Sequence, residues 1–397
     1  MEQLANALGS KPKPLIVAQS ISSVQSYGPA GVTGNSWLHS VVGLGNFTVD
    51  ADRVALGPVI DKLIHDRVTH AVENSEVVWY RVLRCVEPRL LEGTGFEVTT
   101  VDSLDQWLEQ LGYTSPNEGA KEGLLTPLMC AAMSKRVDFV RGLLDRGAEV
   151  GATLGMAHAE FGLPMGVAAL HIACLFGDAT SAKLLIEAGA NTRLGTKTPT
   201  SDPPLSLGVG FGYTFDEIFA AHPELLTLRN GVDVTPVELM AFAGHAENLR
   251  HHFERYPEIF GPVLRGETST GRTLLSGCLA DTWNEDSARL CIEAGCDVNG
   301  VGEPDMPKVK ILYAVADAMC KVRECLGKAP DSTMHRFSYC SRCTPLHYAA
   351  YFGNLGGVEF LIAHGDNVNS TAHPYRMTPL QLAEMQGHAT VAQRLVL

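Results

Sequence analysis

Helical spacing of apolar residues first appears near Pro58. Apolar side chains recur there at intervals of three and four, which is the spacing of one buried helix face. The residues with this spacing are Val59, Ile60, Leu63, Ile64, Val68 and Val72. Residues 1–57 lack it and are rich in Gly, Ser and Val. The pattern therefore predicts a loop-rich segment over 1–57, with room for short strands, and a helical module over 58–122.

The remainder of this module predicts two further helices and one strand. A helix is expected over 75–86. It should end there because Pro88 disfavours helical backbone in the residue before it. Another helix follows Asp102 or Ser103, either of which would cap it. Residues 96–101 alternate like a strand. These elements fit either a separate small α/β module or eroded repeats, and we expect a distinct cap domain.

A combined pattern of turn residues and apolar residues recurs from residue 126 to the end of the chain. Its copies are TPLMCAA at 126–132, AALHIACLFG at 168–177, TPVELMAFAGH at 235–245, TPLHYAAYFG at 344–353 and TPLQLAEMQGH at 378–388. In three copies a glycine lies 21 residues after the first position, at Gly147, Gly189 and Gly365. A helical unit of this length cannot bury its apolar face alone, so stacked units that share one core are expected.

This pattern resembles the ankyrin repeat, a β-turn followed by two antiparallel helices over about 33 residues. The residues that carry the resemblance are Thr126, Pro127, His171, Gly189, Thr235, Pro236, Thr344, Pro345, His347, Gly365, Thr378 and Pro379. The resemblance implies a mainly α fold, namely an ankyrin-repeat solenoid of about seven to eight repeats over 123–397. The residues before it would form a helical or small α/β cap.

The signature residues have clear physical roles in such a unit. The threonine hydroxyl can cap the first helix, and proline in the first turn loses no hydrogen bond because its nitrogen would have no partner there. The glycine ends the second helix in the left-handed conformation. The resemblance further implies that His171 and His347 hydrogen-bond the turn of one repeat to its neighbour.

Three weaker units make the repeat irregular. They begin near 203, 273 and 310, and the uneven intervals predict insertions. The expected insertions lie near 151–166, 193–202 and 300–343. The unit at 310 has apolar spacing without turn residues, so it is either a repeat or one long helix inserted between repeats.

Composition narrows the class of protein. The 397 residues are 45% hydrophobic and 19% charged, which is typical of a folded chain. A net charge of −13 argues against a broad nucleic-acid-binding face, because phosphates require clustered positive charge. The sequence has no apolar stretch of membrane-spanning length, and its first residues lack the basic and apolar regions of a secretory leader, so we expect no leader. Ten scattered cysteines are typical of reduced thiols, so we expect a monomeric cytoplasmic or nuclear protein.

The sequence lacks the motifs of common enzymes. It has no phosphate-binding loop, no nucleophile elbow and no zinc-protease motif, so we expect no enzyme activity and no cofactor. Cys340 and Cys343 form a C-x-x-C pair, but no second pair lies at a spacing suited to zinc, so no metal site is expected. A catalytic domain hidden in the first 120 residues, using Cys85 or His39, is a remote alternative.

The resemblance also implies where a partner would bind. In ankyrin repeats the variable positions are the tips of the β-turns and the last residues of each first helix, which line a concave face. Most residues at these helix ends are aromatic or Met, types that contribute strongly to interfaces. They are Met133, Leu175, Phe176, Phe211, Phe242, Tyr351, Phe352 and Met385. The alternative is that these side chains pack against their own turns.

The expected function is a non-enzymatic scaffold that binds a protein or peptide partner, and neither nucleic acid nor a membrane. The second interpretation is an adaptor in which residues 1–122 recruit a machine such as a ubiquitin ligase. Between 308 and 342 seven Lys or Arg residues outnumber three acidic ones, a local surplus that would suit an acidic partner segment. The resemblance also implies hydroxylation of Asn299 and Asn369, since asparagines at comparable positions are modified in some relatives.

Overall fold

A computed structural model describes most of the chain. The described residues are 15–20, 23–27, 50–98, 101–264, 272–279, 283–304, 307–326, 335, 338–340 and 342–396. They are helical over most of their length, which confirms the mainly α fold. The chain divides into two compact units, residues 1–208 and 209–397. This division falls inside the predicted array, and not at the predicted boundary of 122/123.

The first unit begins with a β-hairpin and continues as helices. Strands β1 (Leu15–Ser20) and β2 (Ser23–Tyr27) are antiparallel, with Leu15 opposite Tyr27. The helices that follow are α1 (Asp50–Glu73), α2 (Val77–Leu90), α3 (Leu104–Gln110), α4 (Pro127–Met133), α5 (Val137–Asp145), α6 (Ala169–Leu175) and α7 (Ala179–Glu187). Helix α8 (Pro204–Gly210) spans the division between the units.

The second unit contains helices and short connections among its described residues. Its first helices are α9 (Asp216–Ala221), α10 (Pro236–Phe242), α11 (Ala246–Arg255), α12 (Pro257–Leu264), α13 (Leu274–Cys278) and α14 (Glu285–Glu293). The later helices are α15 (Pro307–Cys325), α16 (Pro345–Phe352), α17 (Leu355–Ala363), α18 (Pro379–Gln386) and α19 (Ala389–Val396).

Helix α1 crosses the boundary predicted at 57/58. The helix begins at Asp50 and contains Pro58, whose missing N–H removes one backbone hydrogen bond without ending the helix. Its buried face includes Ile60 and Ile64, both fully buried, as the apolar spacing predicts. Val59 lies on the other face and is 48% exposed.

Helix α2 also passes through a proline that was expected to end it. Pro88 lies in the last turn, so the helix loses one hydrogen bond and still continues to Leu90. Residues 96–98 form no strand, and residues 99 and 100 lie outside the described part of the chain. Helix α3 begins directly after Ser103, as predicted.

Pairs of helices stack as hairpins within each unit. In the first unit the pair α4 and α5 packs on the pair α6 and α7. In the second unit α10 and α11 pack on α13 and α14, and α16 and α17 pack on α18 and α19. The first helix of a pair is the more deeply buried, because neighbours cover it on both sides: every residue of α4 and of α6 is buried. This is the shared core that the repeat predicts.

The weak unit at 310 is one long helix. Helix α15 runs for 19 residues without a break. Helix α13 instead contacts α16 directly, so the two hairpins that flank α15 in sequence are neighbours in space. Helix α15, with the rest of the predicted insertion over 300–343, therefore separates these two hairpins in sequence but not in space.

The two shorter insertions in the first unit contact each other. The N–H of Leu154 donates to the carbonyl of Val167 at 2.8 Å, which ties the first loop to the start of the next hairpin. The N–H of Lys197, in the second loop, donates to the carbonyl of Met165 at 2.7 Å. These backbone hydrogen bonds satisfy groups that would otherwise be left unpaired in a buried loop.

Candidate interaction surface

Threonine side chains set the start of several first helices. The Thr126 hydroxyl accepts the N–H three residues further on at 3.3 Å. Thr235 accepts the N–H of Glu238 at 3.3 Å, and the Glu238 carboxylate accepts the N–H of Thr235 at 2.8 Å. Thr378 and Gln381 form the same reciprocal pair. These caps fix where each helix begins, and so which residues lie at its far end.

Buried histidines hold the turns together. His347 is fully buried, and its Nε2 lies 2.9 Å from the carbonyl of Met377 in the next repeat. That nitrogen must donate, so Nδ1 accepts the hydroxyl of Thr344 at 2.7 Å. In His171, Nδ1 accepts the N–H of Ala168 at 3.1 Å. Burial lowers the pKa of both imidazoles to about 4, so both are neutral at neutral pH.

Glycine ends the second helices where the sequence places it. Gly189 and Gly365 have φ angles of 91° and 88°, in the left-handed region that favours glycine. Gly147 and Gly295 occupy the same place in their hairpins, with φ angles of 77° and 104°. The turn that follows each glycine leads to the tip of the repeat.

Four of the residues predicted to bind a partner are buried. Met133 and Phe176 have no exposed surface, Leu175 is 4% exposed and Tyr351 is 7% exposed. Their side chains fill the space between helices, so they offer a partner little or no surface.

Contacts from distant parts of the chain account for two of these burials. The guanidinium of Arg89, in α2, lies over the ring of Phe176 with its Cζ 4.8 Å from the ring centre. His335, in the long insertion, lies 2.6 Å from the hydroxyl of Tyr351 through Nδ1, and the two rings stack. A motif within one repeat carries no information about these neighbours.

The other four predicted residues retain exposed surface. Met385 is 40% exposed, and Phe211, Phe242 and Phe352 are half-buried. All four lie in the second unit, each at or near the end of a first helix, which is where the resemblance places binding residues. They form the candidate interaction surface and are called the inner-end residues below.

Two inner-end residues also pack within the protein. The ring of Phe242 lies against Gly277 of the next hairpin, in space that any side chain at 277 would occupy. The ring of Phe352 lies 4.8 Å from that of Tyr348, measured between ring centres. Part of each ring therefore packs against its own helix or the adjacent one, and the rest remains exposed.

Asparagine side chains link the tips of adjacent repeats. Asn299 donates to the carbonyl of Gly365 at 3.4 Å and accepts the N–H of Asn367 at 2.9 Å. Asn117 makes the same pair of bonds, to the carbonyl of Gly147 at 3.0 Å and from the N–H of Glu149 at 2.6 Å. The sequence reasoning missed Asn117, although its position relative to Gly147 was a usable signal.

The link at Asn117 shows how the N-terminal module joins the array. Asn117 holds the position of a repeat tip, and helix α2 packs on α4 of the next hairpin. The hydroxyl of Tyr113 donates to the carbonyl of Leu125 at 2.7 Å. These contacts tie residues 77–117 to the first hairpin, as the alternative of an eroded repeat would require.

An acidic residue in α15 anchors the long insertion. Asp317 accepts hydrogen bonds from Ser338 at 2.6 Å and from Arg342 at 3.1 Å. The hydroxyl of Tyr375, in the last repeat, also donates to Asp317 at 3.2 Å. Sequence reasoning gave these residues no role, although a single carboxylate within an apolar helical stretch is a sign of an internal partner.

The cysteines considered for chemistry lie in the interior. Burial raises the pKa of the Cys85 thiol, which opposes formation of a nucleophilic thiolate. Cys340 and Cys343 are also buried, and burial raises the pKa of Cys343 to about 12. The described residues contain no group of three or more His, Cys, Asp or Glu side chains that could hold a metal. His39 lies outside the described residues.

Comparison with known families identifies the repeats. A family model described as ankyrin repeats (3 copies) matches residues 108–196 and 311–397. The first match starts inside the module predicted over 58–122. The described helices include none with the length and apolar character needed to cross a membrane.

Individual similar proteins match only short stretches. Alpha-latrotoxin-Lh1a from Latrodectus hasselti is 45% identical over 53 residues, which is 13% of this chain and 4% of the toxin. The ARF GTPase-activating protein Git from Drosophila melanogaster is also 45% identical over 53 residues, or 7% of its own length. The chain thus spans a small part of these relatives.

A solved structure completes the comparison. The human ASB11 ankyrin repeat domain aligns with a TM-score of 0.44 and 19% identity, over 68% of this chain and 96% of that domain. The family match, the capped hairpins and the histidine links between turns agree with one another. Ankyrin repeats form protein–protein interaction domains. The chain therefore contains ankyrin repeats.

Proposed function

We propose that the protein is a non-enzymatic scaffold that binds a protein or peptide partner through the inner-end residues Phe211, Phe242, Phe352 and Met385. The observation that carries the proposal is that these four keep exposed surface at the ends of first helices, while the other predicted residues are buried. Aromatic side chains offer a large apolar area, and the flexible Met side chain adapts to the shape of a partner, so both suit a binding surface.

The burial of the cysteines and the net charge support three further parts of this proposal, which are the lack of enzyme activity, the class of partner and the cellular location. The thiols considered for catalysis are buried, and the ankyrin fold is a binding fold. The net charge of −13 favours a protein partner over a nucleic acid. Ten free cysteines, nine of them buried, favour the cytoplasm or nucleus and a monomer without intermolecular disulfides.

The adaptor interpretation has less support than the scaffold. It requires residues 1–122 to form a separate module, yet Asn117 and Tyr113 bond to the first hairpin and α2 packs on it. These contacts favour a repeat array that includes the helical part of that segment.

Affinity purification with matched variants tests the scaffold. The variants Phe211→Asp and Met385→Asp place a charge on the proposed surface, and Met156→Asp places one on a loop where the side chain is 56% exposed. We expect the first two to lose the same set of partners and Met156→Asp to retain it, with thermal midpoints close to that of the parent. Retention of all partners by both surface variants would reject the inner-end residues as the binding site.

A further inference from the structure

Helix α15 is apolar on two opposite faces. One face packs inward through Val309, Tyr313, Ala316 and Cys320, all of which are less than 9% exposed. The opposite face is apolar as well but remains in solvent. A helix that is apolar all round is normally buried on all sides, so the second face calls for a partner.

The exposed face forms one continuous stripe. Its residues are Ile311 (64% exposed), Val315 (47%), Met319 (43%), Val322 (58%) and Leu326 (63%). The spacing of 4, 4, 3 and 4 residues places them on one side of the helix along about 22 Å of its axis. This is the spacing by which two helices pack along their length.

Basic residues line one edge of this stripe. Lys310 and Lys321 are exposed and lie eleven residues apart, which is close to three helical turns, so they share an edge. Asp317 lies on the same edge, seven residues after Lys310 and four before Lys321. It is only partly exposed, and its carboxylate accepts hydrogen bonds from Ser338 and from Arg342, with which it forms an ion pair. Among the side chains described for this helix, the exposed face is thus apolar and positive, on a protein whose net charge is −13.

We propose that this stripe binds an amphipathic helix of a partner protein, with apolar residues at three- and four-residue spacing and with acidic residues along one edge. The apolar side chains would cover the stripe, and the acidic edge would lie beside Lys310 and Lys321. This surface is separate from the inner-end residues, so the proposal does not depend on the scaffold function argued above.

A second copy of the chain fits the stripe less well. In an antiparallel pair of identical helices the two lysine edges lie on the same side, which places like charges next to one another. An acidic helix replaces that repulsion with attraction. The anchoring of α15 through Asp317 to Tyr375 of the last repeat means that the helix is held in place before a partner arrives.

A pair of synthetic peptides tests the proposal on the intact protein. The probe is a fluorescein-labelled amphipathic helix of about 18 residues, with leucines at i, i+3, i+4 and i+7 and glutamates along its edges. Its twin has lysine in place of every glutamate. We expect saturable binding of the acidic peptide by fluorescence anisotropy, and binding of the twin to be weaker by about tenfold or more.

Chemical modification of Cys325 reports whether a bound peptide covers the end of the stripe. It is the exposed cysteine among ten, and the other nine are buried, so a maleimide reagent should modify it first. The acidic peptide should slow that modification, and the basic twin should not. An unchanged rate at saturating acidic peptide would place the bound peptide elsewhere and overturn the proposal.

Two substitutions and one control complete the test. Met319→Asp should weaken binding of the acidic peptide by about tenfold or more, whereas Met156→Asp, on an exposed loop, should leave it unchanged. The double change Lys310→Glu with Lys321→Glu should reverse the preference toward the basic twin. Equal binding of both peptides, or of neither, would overturn the proposal. So would a dimer of the free protein that Met319→Asp converts to a monomer, because the stripe would then bind a second copy.

Discussion

At the scale of single residues, Asp366 is in an unfavourable position. It follows the glycine that ends a second helix, where Ala148 and Cys296 stand in other hairpins, and it is only 8% exposed. Neither carboxylate oxygen has a well-formed hydrogen bond among the described residues, although the backbone near Leu346 offsets part of the burial. Burial, with Asp297 nearby, raises the pKa of this carboxyl to about 7.

The substitution Asp366→Asn should stabilise the protein above pH 7. A carboxyl with a raised native pKa is protonated in the folded state and ionised in the unfolded state between about pH 4 and pH 7, so stability falls as the pH rises through this range. Asparagine resembles the protonated acid and removes that loss. Urea titrations should show a gain of about 1–3 kcal/mol at pH 8 and little change at pH 4. The exposed Asp145→Asn is the matched control, and an equal gain there would contradict the argument.

His347 should contribute stability with the opposite dependence on pH. Its pKa is lowered to about 4, so the folded state keeps a neutral imidazole while the unfolded state takes up a proton below about pH 6.5. Stability from this residue is therefore present above pH 6.5 and is lost as the pH falls toward 4.

The substitution His347→Leu tests this contribution. It leaves the carbonyl of Met377 and the hydroxyl of Thr344 without their partner, so it should lower the free energy of unfolding at pH 7.5 by about 2–3 kcal/mol. Denaturant melts at pH 7.5 and pH 4.5 should show a smaller loss at the lower pH. His65 is exposed on α1, and His65→Leu should change stability little at either pH. A loss as large for His65→Leu would show that the buried hydrogen bonds are not the cause.

At the scale of elements, two helical glycines predict opposite effects of one substitution. Gly277 in α13 lies against the ring of Phe242, whereas the space beside Gly210 at the end of α8 is open. Alanine has the higher helix propensity, so Gly210→Ala should stabilise by about 0.5–1 kcal/mol. Gly277→Ala must displace the Phe242 ring, and should destabilise by about 1–3 kcal/mol despite that propensity. Thermal melts of the two variants test this prediction, and a higher thermal midpoint in both would mean that the Phe242 ring moves aside at little cost.

The elements differ in how far the sequence predicts them. The starts of α4, α10, α16 and α18 follow from local signals, since a threonine at the N-cap position and a proline after it act within one turn. The start of α1 and the end of α2 were mispredicted, because packing kept each helix intact across a proline. The inner-end positions were found, but the burial of Phe176 depends on Arg89, some 90 residues away in sequence, and no local pattern reports such a contact.

At the scale of the whole molecule, the long insertion interrupts the repeats in sequence and leaves their stacking intact. Asn299 makes hydrogen bonds to Gly365 and Asn367. Asn117 makes the same two bonds to Gly147 and Glu149, which lie 36 residues nearer to it in sequence. The repeat beginning at Thr273 thus meets its neighbour directly, and α13 contacts α16. The insertion is attached to Tyr351 of this neighbour through His335, and to Tyr375 of the last repeat through Asp317.

Excision of residues 304–339 should therefore leave a folded protein. The deletion removes 36 residues and leaves eight residues between Asn299 and Thr344. Eight residues also lie between Asn117 and Thr126, the corresponding positions in the first unit. The loss of the contacts to Tyr351 and Tyr375 should lower the thermal midpoint, but one cooperative transition should remain because the asparagine link and the helix stacking are retained. The shortened protein should no longer bind the acidic peptide, and should still hold partners at the inner-end residues. Loss of cooperative unfolding would show that α15 is part of the core that joins the two hairpins, and would rule out its role as an appended binding helix.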